Sequence, residues 1–289
     1  MASTQQLKSR IRSVKSTKQI TKAMQMVAAS KMRRAQEATK SSQAYTMAAR
    51  ELLTYLAAQG ATNGHKWFTV RPVKSRLLIA VASDKGLAGA YNANILKAYV
   101  RELKADDAAN IANKTIAVGR KIAQAATRIK DTEIVGTYED LPDHFSGAEF
   151  HAILNTAKDL FEAGQVDAVD VIFTRFVSSL TQRADVVRLF PAGFTPTDDV
   201  QPDIAEAKFE PSPKQIIDDI AYRLISARLF QALMDSRASE HSMRMLAMKN
   251  ATDNATDLVD ALTLEMNKAR QAAITQELTE ISAGVEAMQ

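Results

Sequence analysis

Residues 214–283, KQIIDDIAYRLISARLFQALMDSRASEHSMRMLAMKNATDNATDLVDALTLEMNKARQAAITQELTEISA, contain neither glycine nor proline. Those two residues are the strongest breakers of a helix. The stretch therefore reads as one helix, about 105 Å long at roughly 1.5 Å per residue, several times the length of an ordinary globular helix. Apolar residues recur along it at spacings of three and four: Ile217, Ile220 and Leu224, later Leu258 and Leu262, then Ile274, Leu278 and Ile281 in the last turns. A stripe of that period is a coiled-coil seam and needs a partner helix to cover it.

The other end of the chain supplies a candidate partner. Residues 1–59 also lack glycine and proline, which predicts a helix of about 85 Å. Its apolar positions, Leu7, Ile11 and Val14, then Ile20, Met24 and Val27, then Tyr45, Ala49, Leu52 and Leu56, predict an imperfect seam. The economical arrangement pairs the two terminal helices with each other, antiparallel if the intervening chain returns to its starting point. Charge favours the pairing. The first helix carries eleven basic residues against Glu37 and Glu51, whereas acids outnumber bases over 214–289.

Between the helices, residues 60–213 switch to short apolar runs separated by helical stretches, the pattern of an α/β domain with a mostly parallel sheet. Runs 76–83 (RLLIAVAS), 115–119 (TIAVG) and 168–176 (AVDVIFTRF) read as strands, and 185–190 as a strand that forms a hairpin with the third. An acidic, proline-punctuated connection, 195–213, reads as a linker into the last helix. The expected domains are thus 1–59, 60–213 and 214–289.

Composition removes several classes of function. The 289 residues include no cysteine, which excludes disulfides, thiolate metal sites and cysteine nucleophiles. The longest apolar runs, such as 77–82, fall far short of the roughly 20 residues a membrane-spanning helix needs. The start of the chain has the composition of a transit peptide, with no acid before Glu37, but its helical pattern continues without a break, so Met1 reads as the true start. Histidines 65, 144, 151 and 241 are scattered without metal-ligand spacing. Asn-x-Thr triplets at Asn113, Asn250 and Asn254 read as chance matches to a glycosylation signal. The loop 83–90 (SDKGLAGA) is the nearest approach to a phosphate cradle. It lacks both the third glycine of a dinucleotide fingerprint and a P-loop ending, and so reads as a strand-to-helix turn. On residues alone the chain is a non-enzymatic coiled-coil machine part or scaffold, with two rivals: a basic coiled-coil protein that binds nucleic acid, and a small α/β ligand-binding enzyme.

Four stretches carry a resemblance. Residues 11–34 (IRSVKSTKQITKAMQMVAASKMRR), 239–255 (SEHSMRMLAMKNATDNA) and 267–281 (NKARQAAITQELTEI) resemble the gamma subunits of F-type ATP synthases, and 83–92 (SDKGLAGAYN) resembles that family's central loop. The chain departs from the pattern at Ala90, where glycine is common, and at Val285, where alanine usually follows Gly284. The resemblance implies a left-handed antiparallel coiled coil with a Rossmann-like domain at its side. It implies a central rotor shaft that couples proton-driven rotation of a membrane ring to ATP synthesis or hydrolysis on the beta subunits. The implied partners are three alpha and three beta subunits, the epsilon subunit and the rotor (c) ring. No nucleic acid, cofactor, metal or catalytic residue of its own is implied. The positions that match shaft contacts are Met24, Arg33 and Arg34 on the first helix and Arg244, Gln271, Thr275 and Glu277 on the last; Phe209 and Glu210 match a foot that reaches the rotor ring. The small or apolar tip, 281–288, suits a bearing. Absence of a transit peptide and of a cysteine pair favours a bacterial protein, held to the cytoplasmic face of the inner membrane through its partners.

Overall fold

The computed structural model describes residues 4–58, 60, 62–130, 132–142, 148–193 and 213–286. Of the sequence expectations, the linker 195–212, His144, Phe209, Glu210 and the end of the tip, 287–288, lie outside them. Two long helices are present, α1 (Thr4–Ala58) and α5 (Pro213–Glu286). Helix α5 begins on Pro213, where proline's fixed φ suits the first turn and its missing N–H costs nothing.

Between them run β1 (Ser75–Val81), α2 (Tyr91–Ala108), β2 (Ala112–Val118), α3 (Arg120–Ala126), β3 (Glu133–Tyr138), α4 (Ala148–Glu162), β4 (Ala168–Phe176) and β5 (Gln182–Phe190). The sheet order is β3-β2-β1-β4-β5. All pairings are parallel except the β4–β5 hairpin. The mostly parallel sheet, the hairpin and β4 stand as read. Strand β3 is missed by the sequence reading: it is a half-exposed edge strand, EIVGTY, too short and too polar to announce itself.

The chain forms two compact units, Met1–Ala28 with Arg244–Gln289, and Ala29–Met243. In the first, α1 and α5 run antiparallel: Leu7, Ile11 and Leu262 share one cluster with Val14, Val259 and Met266, and the Thr252 hydroxyl donates to Thr21 Oγ1 at 2.8 Å. Within this unit the buried positions on α1 are Leu7, Ile11, Thr21 and Ala28. Leu7, half-buried Val14, Thr21 and Ala28 repeat every seven residues, and Ile11 lies four on from Leu7. This corrects the expected seam. Ile20 and Val27 are 57% and 56% exposed, because the heptad places a threonine and an alanine inward and turns these larger neighbours to solvent. The charges also sit outside the seam. Among the described residues Lys8, Arg10, Arg12, Lys15 and Lys18 enter no ion pair with α5.

In the second unit the sheet is covered on both faces. Leu78, Ala80, Ala117 and Ile172 pack against α2 and α3. Leu77, Ile79, Val118, Val169, Val171 and Phe173 pack against α4 and against Ala221, Ile225, Leu229, Leu233 and Met234 of α5. Leu53 and Leu56 of α1 join Ile217, Ile220 and Leu224 in a further cluster. Each fully buried Leu or Ile contributes about 1.5–3 kcal/mol of transfer free energy, so α5 is as much a part of this core as any strand.

At the opposite end of the sheet from the β1–α2 loop, Arg76 is enclosed by Asp170, Asp106 at 3.0 Å and Glu102 at 3.2 Å. Arg188 also holds Asp170. Burial pushes the Asp106 carboxyl up while Arg76 pulls it down, and one Asp106 oxygen has no hydrogen-bond partner. The cluster therefore depends on its guanidinium. Replacing Arg76→Met strands buried carboxylates and should lower unfolding free energy by about 3–5 kcal/mol, read as a shifted urea midpoint with an unchanged slope.

Candidate functional site

The residues expected to touch partners are strung along two helices and form no single pocket. In the first unit, Met24 and Arg244 are half-buried. Gln271, Thr275 and Glu277 are exposed, and the Thr275 hydroxyl donates back to the Gln271 carbonyl at 2.9 Å, one turn away on the same face. In the second unit Arg33 and Arg34 are exposed, with Arg34 donating to Ser30 Oγ at 3.4 Å.

Two surfaces of the first unit are built for contact. The seam ends with Met266 and Ala269 packed near Leu7; from 270 to 283 every residue of α5 is exposed. Ile274, Leu278 and Ile281 lie in that stretch at helical spacing, 49%, 60% and 65% exposed. An apolar stripe in water is a binding surface rather than a stable end state. Nearer the middle, Lys15, Lys18, Gln19, Lys22, Ala23 and Met26 line an open groove of about 660 Å³ against Thr252, Asp253 and Thr256. Its lining combines exposed Met26 with three ammonium groups and one carboxylate, Asp253, a net positive surface that suits an acidic partner with an apolar anchor.

The α/β domain offers no such opening where its fold leads one to look. An open parallel sheet holds ligands beyond the strand ends at the point where strand order reverses, here between β1 and β4. Ser83 Oγ bonds Asn92 Oδ1 at 2.9 Å and the Lys85 carbonyl at 2.7 Å, the Ser83 N–H goes to Asn92, and Asp84 accepts from the Arg120 N–H. The loop is occupied with itself, as a strand-to-helix turn. Gly119, at φ +98°, closes its far side; a Cβ there would lie 2.2 Å from the Ala82 oxygen. The crevice itself is filled by α5: Ser236 Oγ meets the buried Tyr91 hydroxyl at 2.7 Å and accepts from the Thr174 N–H at 3.4 Å. Among the described residues no group of His, Asp or Glu could hold a metal ion.

A family model described as ATP synthase matches residues 3–288, and the ATP synthase gamma chain of Desulforamulus reducens is 38% identical over 289 residues, covering 100% of both chains. This chain belongs to the ATP synthase gamma-chain family. The gamma chain of Heliobacterium modesticaldum is 37% identical over 98% of each chain. Among solved structures, a chain of the Tetrahymena thermophila mitochondrial ATP synthase central stalk and c-ring aligns with a TM-score of 0.61 and 24% identity, covering 80% of this chain and 99% of that one. A chain of the Euglena gracilis mitochondrial ATP synthase rotor gives 0.65 and 17%, covering 94% and 98%. The fold of long terminal helices around a parallel-rich sheet is shared with both. No helix among the described residues is long and apolar enough to cross a membrane.

One feature of this gamma-family chain left no signal in the sequence. Asp235 faces a cavity of about 120 Å³ lined by Val171, Phe173, Val187, Leu189 and Ala232, with Arg175 and Arg228 at its edge. Burial pushes its carboxyl up to about 6, against the pull of Arg175. An unfolded aspartate titrates near about 3.9, so the folded chain holds the extra proton between those values, and stability falls as pH rises through that interval. Asp235→Asn removes the penalty. The variant should melt higher than the parent at pH 8, by about 1 kcal/mol after discounting for partial exposure. At pH 4.5 the difference should shrink, and parallel melting curves at the two pH values would refute the assignment.

Proposed function

We propose that the chain is the central shaft of an F-type ATP synthase, coupling proton-driven rotation of a membrane ring to ATP synthesis or hydrolysis on partner subunits. The carrying observation is the end of α5: fourteen successive exposed positions, 270–283, bearing the stripe Ile274, Leu278 and Ile281. Membership of the gamma-chain family over the whole length supports the same reading. A helix that leaves its own seam and presents an apolar face needs a sleeve, and a ring of three alpha and three beta subunits provides one. The sleeve's beta subunits are chemically identical, so one asymmetric shaft stabilises a different conformation in each.

In this reading Met24, Arg244, Gln271, Thr275 and Glu277 lie against the ring, with Arg33 and Arg34 offered to acidic surfaces of the beta subunits. Phe209 and Glu210 reach toward the rotor ring, and the α/β domain meets the epsilon subunit. Catalysis belongs to the beta subunits, and the chain is peripheral on the cytoplasmic side of the inner membrane, held there through its partners. The filled crevice supports a mechanical rather than a chemical role for the sheet domain.

Reconstitution tests the proposal. Added to purified alpha and beta subunits from the same source, the intact chain should raise ATPase turnover and co-purify at one copy per three beta subunits. Truncation after Met266 removes the exposed stripe and should weaken retention in the ring while leaving the α/β domain folded by circular dichroism. A chain that neither binds nor stimulates the ring would overturn the reading, and DNA retardation with a steep salt dependence would then favour the basic face as a nucleic-acid surface.

A further inference from the structure

Three serines of α5, Ser236, Ser239 and Ser242, follow one another at intervals of three residues and are each 0% exposed. That spacing keeps them close to one face of the helix. Every one of them bonds to the same strip of the sheet domain. Ser236 Oγ accepts from the Thr174 N–H and meets the Tyr91 hydroxyl. Ser239 Oγ donates to the Thr174 carbonyl at 3.2 Å. Ser242 Oγ donates to the Ser179 carbonyl at 2.8 Å, in the β4–β5 turn, and accepts from the Gln182 amide at 3.3 Å.

The strip has a reason to need them. Strand β4 pairs with β1 only from Arg76↔Ala168 to Ala80↔Ile172, and β1 ends at Val81 while β4 continues to Phe176. Beyond Ile172 one edge of β4 has lost its neighbour, and a buried backbone N–H and C=O without partners are costly. Helix α5 takes the place of the missing strand through two hydroxyls. Serine is small enough to bring the helix backbone close, and its bonds are directional.

Directionality separates this contact from the rest of the docking. The apolar packing of Ile225, Leu229 and Leu233 holds α5 to the sheet face, but hydrophobic contact is non-directional and resists rolling or sliding of a helix only weakly. Hydrogen bonds at three successive levels fix both the axial position and the angle of the helix about its own axis. We propose that Ser236, Ser239 and Ser242 are the torque coupling of this chain: positioning residues that make α5 turn with the α/β domain as one body, so that rotation delivered to the domain reaches the rest of the helix. The inference rests on the shaft reading above. It assigns that role to three side chains outside every partner contact expected from the sequence.

The test uses the complete membrane enzyme assembled with variant chains, measuring ATP hydrolysis and ATP-driven ion pumping side by side in vesicles. The triple replacement Ser236→Ala, Ser239→Ala and Ser242→Ala should leave hydrolysis close to the parent and lower pumping per ATP hydrolysed severalfold. Ser242→Ala alone, which spares the buried pair at Thr174, should give a smaller loss in the same direction and serves where the triple variant fails to assemble. Ser239→Thr, which keeps the hydroxyl, should retain coupling. The control is Tyr99→Phe, which removes a buried 2.8 Å bond to Thr115 on the other face of the sheet without touching α5. It should lower the melting temperature and leave the pumping ratio intact. Equal uncoupling by Tyr99→Phe at matched stability, or full coupling by either alanine variant, would overturn the inference. Failure of the parent chain itself to support hydrolysis would instead overturn the shaft reading.

Discussion

Strand β4 is longer than the strand beside it, and the buried backbone it leaves without a partner at Thr174 has to be satisfied from somewhere. In an open α/β domain that place is ordinarily left for a ligand, whose polar groups complete the bonding. Here a helix completes it from within the same chain. The domain keeps the architecture of a nucleotide-binding fold and has spent its crevice on holding α5, through Ser236, Ser239 and the Tyr91 hydroxyl. The place where such a fold ordinarily takes a ligand is thereby given over to packing a helix.

The large features were legible because they rest on strong local signals. The absence of glycine and proline over 214–283 announced α5, and the apolar-rich run of β4 was read to the residue. What failed were decisions settled only by tertiary context. The sequence reading placed Ile20 and Val27 in the seam because they are apolar, whereas the seven-residue repeat from Leu7 places Thr21 and Ala28 there. Threonine and alanine carry no hydrophobic signal strong enough to outvote isoleucine and valine, and only the register with α5 decides. Strand β3 failed for the converse reason: half-exposed at the sheet edge, it needs no apolar run. At the candidate site, the exposed stripe of Ile274, Leu278 and Ile281 could be read from the sequence as a seam position but not as an uncovered one. Serines 236, 239 and 242 gave no signal at all, since serine within a helix reads as neutral until its partner, supplied by β4 and the turn after it more than sixty residues earlier, is known.

Electrostatics divides the molecule along the same lines. Where charge is buried it is enclosed, as with Arg76 among Asp170, Asp106 and Glu102; removing it from water is tolerable only because every carboxylate meets a guanidinium. On the first unit the cations of α1 stay in solvent and off the seam. Charges left in water lose little and remain available to a partner, at a strength that rises as ionic strength falls.

The buried threonine pair, Thr21 and Thr252, has a consequence of its own. Each hydroxyl also reaches a carbonyl of its own helix, Thr21 to Lys18 and Thr252 to Met248, so the cross-helix contact is an added preference for one alignment that a slide of one heptad would forfeit. Such a slide would displace one helix past the other by about 10 Å. The pair thus favours one register among several, and with it a particular number of turns of α5 standing clear of the start of α1.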